Sequence, residues 1–453
     1  MAPFKVIIAG GGVVGLFLAL CLEQAGIDYV LFEKGEIGPE LGASISLHPA
    51  SLKTLGQLGV AGEILSGVVP LRYRLAFNGK GKCFDESWAM KVVEEKLGGP
   101  IIFMGRCEFL RILYKHIRDK SRVLAQTAVV SYEEDEDGIT VTASDGMKYC
   151  GDILVGTDGV HSTVAQLMTE KLNKEKPSIS NDFQKAFTCE YKCVFGISHN
   201  DPSAPFLAED GVMHYGYYDK YTTISCTGVP GQIFWFMLVK IPLIKGLDCP
   251  RFTEEDTLAV IEEYGDVKVG PGYTIKDLWN KRIRASMVSL EEGILQTWHH
   301  SRVILMGDAI HKTTPNYGQG ANLAYESVAR LTNLLHSLLQ KNPNPTLAEI
   351  KDVFETIDRK HRPRAKEVVK VGGTLTRIEA HDNRFFKVLA QHVLPRLSDK
   401  TKLKAYFKYA RQAPTLDFLP LPQKDEGPKP RQKMRDNGKG CQSRVWSLRR
   451  FQV

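Results

Sequence analysis

Three glycines near the amino terminus have the spacing that phosphate binding requires. Gly10, Gly12 and Gly15 form a GxGxxG pattern. The first glycine permits a tight turn, the second lets a pyrophosphate approach the backbone, and the third lets a helix pack closely on a strand. Glu33 closes the next apolar run, "YVLFE", where its carboxylate can accept hydrogen bonds from ribose hydroxyl groups. These residues predict a dinucleotide site, and both FAD and NAD are compatible with the pattern.

A strand, a turn, a helix and a second strand are predicted to position these glycines. Residues 4–9 are rich in Val and Ile, which is typical of a buried parallel strand. The apolar run "VVGLFLALCL" after the turn is predicted to be a helix. Its first turn carries unpaired N–H groups and the positive end of the helix dipole. A phosphate group is therefore expected in front of this helix.

Two carboxylates later in the chain also follow apolar strands. The segment "GDILVGTDGVHSTV" ends its strand at Asp158, and "SRVILMGDAIHKTTPNYGQGAN" ends its strand at Gly307 and Asp308. The carboxyl ends of parallel strands face the ligand crevice of an open sheet. Both aspartates are therefore predicted to face a ligand, with Asp308 placed to bind a ribityl hydroxyl group.

A glycine-rich bend follows the second of these strands. Pro315, Gly318 and Gly320 predict a backbone that passes close to a flat ring. A helix is predicted to begin at Asn322, because apolar residues recur at helical spacing in "NLAYESVARLTNLLHSLL". Its positive end would stabilise a ring that gains negative charge on reduction. This combination indicates that the dinucleotide is FAD.

The motifs, in this order, resemble the flavin monooxygenases of the para-hydroxybenzoate hydroxylase fold over residues 4 to about 375. A Gly-Arg pair before a helix, in "GRCEFLRILY", adds a further match and implies that Arg106 lies near the flavin diphosphate and ribityl chain. The resemblance implies FAD as cofactor, NADPH as a transient co-substrate and O2 as a further substrate. The predicted cofactor-binding residues are Gly10, Gly12, Gly15, Glu33, Ser46, Arg106, Asp158, Gly307, Asp308, Pro315, Gly318, Gly320, Ala321 and Asn322.

A narrower resemblance concerns the reaction. "GASISLHPASLKTLGQLGV" and "LDFLPLP" are similar to segments of the fungal enzymes that epoxidise prenyl chains in paxilline-type indole-diterpene and meroterpenoid biosynthesis. This implies insertion of one oxygen atom into an apolar secondary metabolite, as an epoxide on a prenyl double bond. An isolated alkene needs no general base, whereas a phenol must be ionised. The scarcity of convincing bases in the sequence favours epoxidation.

Two other functions stay open. The first is a phenolic ring hydroxylase of the same fold. The second is an inactive FAD-binding protein, because Thr163 and Ala165 stand where relatives often carry basic residues and Ser327 stands where Asp is usual. A flavin halogenase is disfavoured, because it needs a WxWxIP segment and no two tryptophans of this chain lie two residues apart.

The predicted fold class is α/β. A Rossmann-like FAD-binding domain with a parallel sheet is interleaved with an antiparallel-sheet substrate domain and followed by a C-terminal helical region. We assign residues 1–72, 106–180 and 286–375 to the FAD-binding domain and residues 73–105 and 181–285 to the substrate domain. Residues 376–423 are predicted to form C-terminal helices, and residues 424–453 a basic disordered tail.

Tyrosines are concentrated in the predicted substrate domain. Strand alternation predicts that Tyr215, Tyr217 and Thr223 share one face of the sheet. A tyrosine of this sheet points at the substrate in related hydroxylases, so the resemblance implies a catalytic role for Tyr215 first and Tyr217 second. The alternative is that they are half-buried strand residues without a role in the reaction.

Charge and cysteine content exclude other classes of function. The net charge is +7, but residues 424–453 hold nine Lys or Arg against three Asp or Glu, so the remaining body predicts no nucleic-acid binding. The nine cysteines form no CxxC pair, which disfavours a metal site and fits a reducing compartment. No apolar run is long enough to span a membrane. An intracellular protein is expected, either cytoplasmic or in peripheral contact with an internal membrane.

Overall fold

A computed structural model describes residues 3–40, 42, 44–175, 185–246 and 249–422. The predicted basic tail, residues 424–453, lies outside the described residues. The strands in chain order are β1 (Lys5–Ala9), β2 (Asp28–Phe32), β3 (Ser44–Leu47), β4 (Tyr73–Asn78), β5 (Cys83–Ser87), β6 (Ile102–Gly105), β7 (Val123–Leu124), β8 (Val129–Glu134), β9 (Ile139–Ala143), β10 (Lys148–Gly151), β11 (Ile153–Gly156), β12 (Phe187–His199), β13 (Val212–Tyr217), β14 (Tyr221–Cys226), β15 (Gln232–Lys245), β16 (Lys268–Gly270), β17 (Tyr273–Thr274), β18 (Arg282–Ile294), β19 (His299–His300), β20 (Val303–Leu305) and β21 (His311–Lys312).

Helices separate many of these strands and form the end of the described chain. In chain order they are α1 (Val13–Ala25), α2 (Pro49–Gln57), α3 (Ala61–Ser66), α4 (Ala89–Leu97), α5 (Arg106–His116), α6 (Thr163–Glu175), α7 (Glu254–Tyr264), α8 (Ile275–Asn280), α9 (Gly320–Lys341), α10 (Leu347–Glu379), α11 (Arg384–Val388), α12 (Asp399–Lys402) and α13 (Lys404–Ala410). Short 3-10 turns at Gly307–Ala309 and Pro315–Tyr317 lie between β20 and α9.

The first sheet is the Rossmann-like part of the fold. Its strand order is β19-β20-β11-β1-β2-β7. β1 pairs in parallel with β2 and β11, and β11 pairs in parallel with β20. Residues of β1, β11 and β20 are almost all buried, which explains why these strands are continuous apolar runs. The carboxyl ends of β1, β11 and β20 meet at one edge, so the glycine turn and both predicted aspartates follow that edge.

Helix α1 holds the glycine turn against this sheet. Most of its side chains are buried, because it lies between the strands and helix α9. The rings of Phe17 and Tyr325 stack at 3.8 Å between their centroids and join the two helices. Gly26 ends α1 at φ +69°, the left-handed conformation common at helix C-termini. The N-terminus of α1 therefore has a fixed direction relative to β1.

The second large sheet has the order β21-β18-β12-β15-β14-β13-β4-β5. It is antiparallel except where β13 pairs in parallel with β4. The α/β fold class, with a mainly parallel sheet and a mainly antiparallel sheet, is confirmed. Strand β18 crosses the boundary drawn at residue 285, and β6 pairs with β3 rather than with this sheet. The division of the chain into domains stays a prediction.

The β13–β14 hairpin corrects one expectation. Tyr215 lies opposite Ile224, and Thr223 lies opposite Gly216. Residues opposite each other share a face, and neighbours along a strand alternate. Thr223 therefore faces away from Tyr215 and Tyr217. The prediction that Tyr215, Tyr217 and Thr223 share a face was wrong. It assumed that all odd-numbered residues of the hairpin face the same side, but each cross-strand pair joins an odd-numbered residue to an even-numbered one.

The long helix α10 connects the two sheets to the C-terminal helices. It begins with a capping box in which Thr346 and Glu349 satisfy each other's backbone N–H groups. It spans 33 residues and contains Pro363, so it crosses the boundary drawn at residue 375. A π-helical turn, Leu389–Val393, follows α11. Over the residues that the structure describes, no helix combines the length and apolar character needed to cross a bilayer.

Candidate active site

A cavity of about 570 Å³ lies between the carboxyl edge of the parallel sheet and the eight-stranded sheet. Gly12, Arg106 and Gly318 line one end, which we call the dinucleotide end. Tyr215 and Phe236 line the other, which we call the sheet end. The volume is in the range of small-molecule sites. One ligand at the dinucleotide end can thus contact a second ligand at the sheet end.

The three glycines of the first turn have different surroundings. Gly10 has φ +107°, and a Cβ on Gly15 would lie 1.9 Å from the carbonyl oxygen of Gly10. Gly12 is different, because the nearest described atom to such a Cβ is Arg106 Nη2 at 3.6 Å. Gly10 and Gly15 are therefore required for packing, whereas Gly12 leaves open space for a ligand.

Glu33 and Arg106 lie beside this turn. The Glu33 carboxylate accepts hydrogen bonds from the backbone N–H groups of Gly11 at 2.6 Å and Gly35 at 2.9 Å. Arg106 is the first residue of α5 and reaches the cavity. Burial lowers its pKa, while the charges of Asp308 and Glu33 act in the opposite direction. A partly buried guanidinium gains from an anionic partner such as a diphosphate.

Two helix N-termini point at the cavity. The residue that precedes each helix is Gly12 for α1 and Gln319 for α9, and no side chain among the described residues caps either end. Helix α9 begins at Gly320 rather than at the predicted Asn322. The earlier start is possible because the glycine bend already turns the chain into the helix. The open N–H groups are suited to bind negatively charged ligand atoms.

The bend before α9 packs against β3. Gly318 has φ +63°, and a Cβ there would lie 3.2 Å from His48 Nε2 and 3.3 Å from the Ser46 side chain. Asn322 ties the two segments together, because its Nδ2 donates to the carbonyl oxygens of Ser46 at 2.9 Å and Gly318 at 2.7 Å. The predicted residues Ser46, Pro315, Gly318, Gly320 and Ala321 all line the cavity.

The two predicted aspartates have different environments. Asp308 lines the cavity and forms an ion pair with Lys312. Gly307 next to it has φ +63°, and a Cβ there would lie 2.9 Å from Val14. Asp158 instead accepts hydrogen bonds from Ser162 Oγ and, at 3.1 Å, from the N–H of Val164. The structure therefore brings Asp308 to the cavity and uses the Asp158 carboxylate within its own loop.

The two predicted tyrosines also have different positions relative to the cavity. Tyr215 lines the cavity together with Met213, Ile224 and Phe236. Burial raises the pKa of Tyr215 well above its usual value, so its hydroxyl group remains protonated. The Tyr217 hydroxyl group accepts a hydrogen bond from Arg74 Nη1 at 3.3 Å. Tyr217 does not belong to the lining of the cavity.

Further polar residues that sequence reasoning missed line the cavity, and His48, Arg74, Glu379 and Lys402 are among them. His48 Nδ1 lies 2.9 Å from the Tyr406 hydroxyl group and 2.8 Å from Gln319 Nε2, and burial lowers its pKa to about 3, so the ring is neutral. Strand alternation from Ser46 could have placed His48 at the cavity. No local signal could have found the other three, because the tertiary fold brings them there from distant elements.

The chain is similar to a family model and to several fungal proteins. A family model described as "FAD binding domain" matches residues 3–189 and 271–370. The FAD-dependent monooxygenase ptmM of Penicillium ochrochloron is 37% identical over 401 residues, which cover 87% of this chain and 94% of that protein. The FAD-dependent monooxygenase paxM of Penicillium paxilli is 34% identical over 432 residues, which cover 94% of this chain and 89% of that protein.

Solved structures show the same fold at lower identity. HpxO of Klebsiella pneumoniae, complexed with FAD and uric acid, has a TM-score of 0.74 and 20% identity, over 91% of this chain and 97% of that one. A salicylate hydroxylase substrate complex has a TM-score of 0.68 and 18% identity, over 91% of this chain and 98% of that one. The open space at Gly12, the uncapped helix N-termini and the partly buried Arg106 fit FAD. The chain belongs to the FAD-binding-domain family and is an FAD-dependent monooxygenase.

Proposed function

We propose that this monooxygenase inserts one oxygen atom from O2 into an apolar secondary metabolite, by epoxidation of a prenyl double bond of a meroterpenoid or indole diterpene. The main support for this proposal is the sheet end of the cavity, because its wall is mainly apolar. Its apolar side chains are Leu71, Met90, Val93, Ile101, Phe103, Met213, Ile224, Phe236, Leu375 and Leu403. Such a wall suits a prenyl chain or a fused ring system.

The residues of the dinucleotide end are proposed to hold FAD. Gly12 and the N-terminus of α1 would face the diphosphate, with Arg106 as its cationic partner. Asp308 would bind the ribityl chain, and the N-terminus of α9 would face the ring. Bound FAD, reduced by NADPH, supplies the activation of O2. The chain itself would orient the substrate and exclude water.

Tyr215 is proposed to contact the substrate. A protonated phenol is a hydrogen-bond donor and a poor general base, which suits a reaction in which the double bond needs no deprotonation. Tyr217 would act through Arg74, to which it is hydrogen-bonded.

A second candidate function is hydroxylation of a phenolic ring. Glu379 favours it, because this buried carboxyl group lines the cavity and burial raises its pKa to about 7. A carboxylate with such a pKa is suited to accept a proton from a phenol.

Product analysis tests both candidates. FAD-loaded protein is incubated with NADPH, isotopically labelled O2 and prenylated aromatic or polyketide compounds, and the products are analysed by mass spectrometry. One labelled oxygen on the prenyl chain supports epoxidation, and one on the ring supports the second candidate. Flavin that is not bleached by NADPH would indicate an inactive FAD-binding protein.

The place of the protein in the cell is also part of the proposal. All eight cysteines among the described residues are free thiols, which suits a reducing intracellular compartment. Phe385 and Val388 on α11 are 70% and 54% exposed, and Lys387 lies between them, which would permit peripheral contact with an internal membrane.

A further inference from the structure

Glu379 brings a carboxyl group into the mainly apolar lining of the sheet end. It lies on α10 in the same cavity as Leu375, one turn earlier on that helix. Its side chain reaches the cavity although the residue is only 4% exposed. A carboxyl group is costly to bury unless it finds hydrogen-bonding partners. In this mainly apolar wall, a polar ligand group can serve as such a partner.

One oxygen of this carboxyl group is already engaged. Asn316 Nδ2 donates to Glu379 Oε2 at 2.5 Å. Asn316 is itself held, because its Oδ1 accepts a hydrogen bond from Thr376 Oγ1 at 2.7 Å. Among the residues that the structure describes, none forms a hydrogen bond with Glu379 Oε1. The carboxyl group is therefore fixed through one oxygen, and the other oxygen is available to a ligand.

The charged groups around Glu379 are paired with other partners. Arg74 on β4 forms an ion pair with Asp85 at 2.9 Å and donates to the Tyr217 hydroxyl group. Lys402 on α12 lies 3.2 Å from the same Asp85 carboxylate. Tyr215 and Tyr217 on β13 are neutral, because burial raises the pKa of both. No cation of the described chain therefore forms a direct ion pair with Glu379.

We propose that Glu379, held by Asn316, is a hydrogen-bonding subsite for a hydroxyl group on an otherwise apolar substrate. The inference rests on the proposed function, since it assumes that the sheet end is the substrate site. The substrate is then a prenylated or polycyclic compound, and its free hydroxyl group lies against α10.

The protonation of Glu379 indicates why the ligand group should be a hydroxyl group. Burial raises the pKa of Glu379 to about 7, while the Asn316 hydrogen bond and the charge of Arg74 oppose this rise. Both forms of the carboxyl group are therefore populated near neutral pH. A carbonyl group could pair only with the protonated form, since it cannot donate a hydrogen bond. A hydroxyl group donates to the carboxylate and accepts from the acid, so it pairs with both.

The subsite is tested by measuring how protein variants bind two ligands that differ by one hydroxyl group. The probes are farnesol and deoxyfarnesol, the hydrocarbon in which hydrogen replaces the hydroxyl group. Their dissociation constants are measured with FAD-loaded protein in the absence of NADPH. The variants are Glu379→Leu, which removes the polar group, and Glu379→Gln, which keeps its shape and hydrogen-bonding capacity. Leu375→Ala is the control, because it changes the same wall without changing its polarity.

Wild-type protein should bind farnesol about tenfold more tightly than deoxyfarnesol, as one additional buried hydrogen bond predicts. Glu379→Leu should remove this preference, Glu379→Gln should retain part of it, and Leu375→Ala should weaken both probes equally. Equal preference in wild type and Glu379→Leu would overturn the proposal, and so would failure of farnesol to bind to wild-type protein. Binding is measured without turnover, so a protein with the preference but no oxygenated product would refute only the proposed function.

Discussion

The side chain of Asn322 on α9 accepts a hydrogen bond from the backbone N–H of His48 through Oδ1, at 2.9 Å. Nδ2 of the same amide donates to the carbonyl oxygens of Ser46 and Gly318. The buried side chain of Asn322 therefore joins three segments: β3 with the residue after it, the glycine bend, and the N-terminus of α9. The relative position of these three segments determines the shape of the proposed flavin-ring site.

Replacing Asn322 with Ala should lower both stability and FAD affinity. The change leaves the buried N–H of His48 without its partner, which costs about 1–3 kcal/mol. Thermal unfolding and FAD titration measure the two effects. Asn333→Ala is a matched control on the same helix, because Asn333 bonds to the backbone of Thr415 and Asp417 away from the cavity. It should lower stability and leave FAD affinity unchanged; equal FAD affinity in both variants would contradict the assigned role.

Two glycine substitutions should give opposite results. Gly15→Ala would place a Cβ 1.9 Å from the carbonyl oxygen of Gly10, so we expect loss of the folded protein. Gly12→Ala meets no such obstacle, since its nearest described neighbour is 3.6 Å away. It should fold normally and bind FAD at least about tenfold more weakly, because the methyl group occupies the space proposed for the diphosphate. Circular dichroism and flavin fluorescence separate the two effects; normal FAD affinity in Gly12→Ala would exclude a diphosphate at this turn.

Tyr215 and Tyr217 should differ in their effect on turnover. Tyr215→Phe removes a hydroxyl group from a residue that lines the cavity, and kcat/KM should fall roughly tenfold. Tyr217→Phe removes a hydrogen bond to Arg74, which keeps its ion pair with Asp85, so kcat/KM should change by less than about twofold. Steady-state kinetics with an accepted substrate measure both values. The reverse order would mean that Tyr217 is the residue closer to the reaction.

Glu379 should make stability fall as pH rises. Its pKa is raised from 4.5 to about 7 in the folded protein, because burial disfavours the carboxylate. The folded state therefore binds more protons than the unfolded state between these two values, and stability is lost as pH increases through this window. The loss is at most about 3 kcal/mol above pH 7. Glu379→Gln cannot ionise, so its melting temperature relative to wild type should rise between pH 5 and pH 8; a difference independent of pH would contradict the raised pKa.

The local patterns carried the prediction of the dinucleotide end. The glycine spacing, the apolar strands and the order of motifs act within short stretches of chain, where backbone sterics and helix geometry leave few alternatives. They indicated the α/β fold and FAD. The same local reasoning was wrong for the start of α9 and for the face of Thr223, because the bend and the hairpin register depend on which segments pair.

Tertiary structure alone decided what lines the sheet end of the cavity. Arg74 and Glu379 are separated by most of the chain, and no periodicity links them. It also separated pairs that looked equivalent: Asp308 faces the cavity while Asp158 bonds within its own loop, and Tyr215 lines the cavity while Tyr217 does not. Sequence determines which groups each element carries. Which side chains share one volume is decided by long-range packing, since that is where burial and hydrogen bonding between distant segments are balanced.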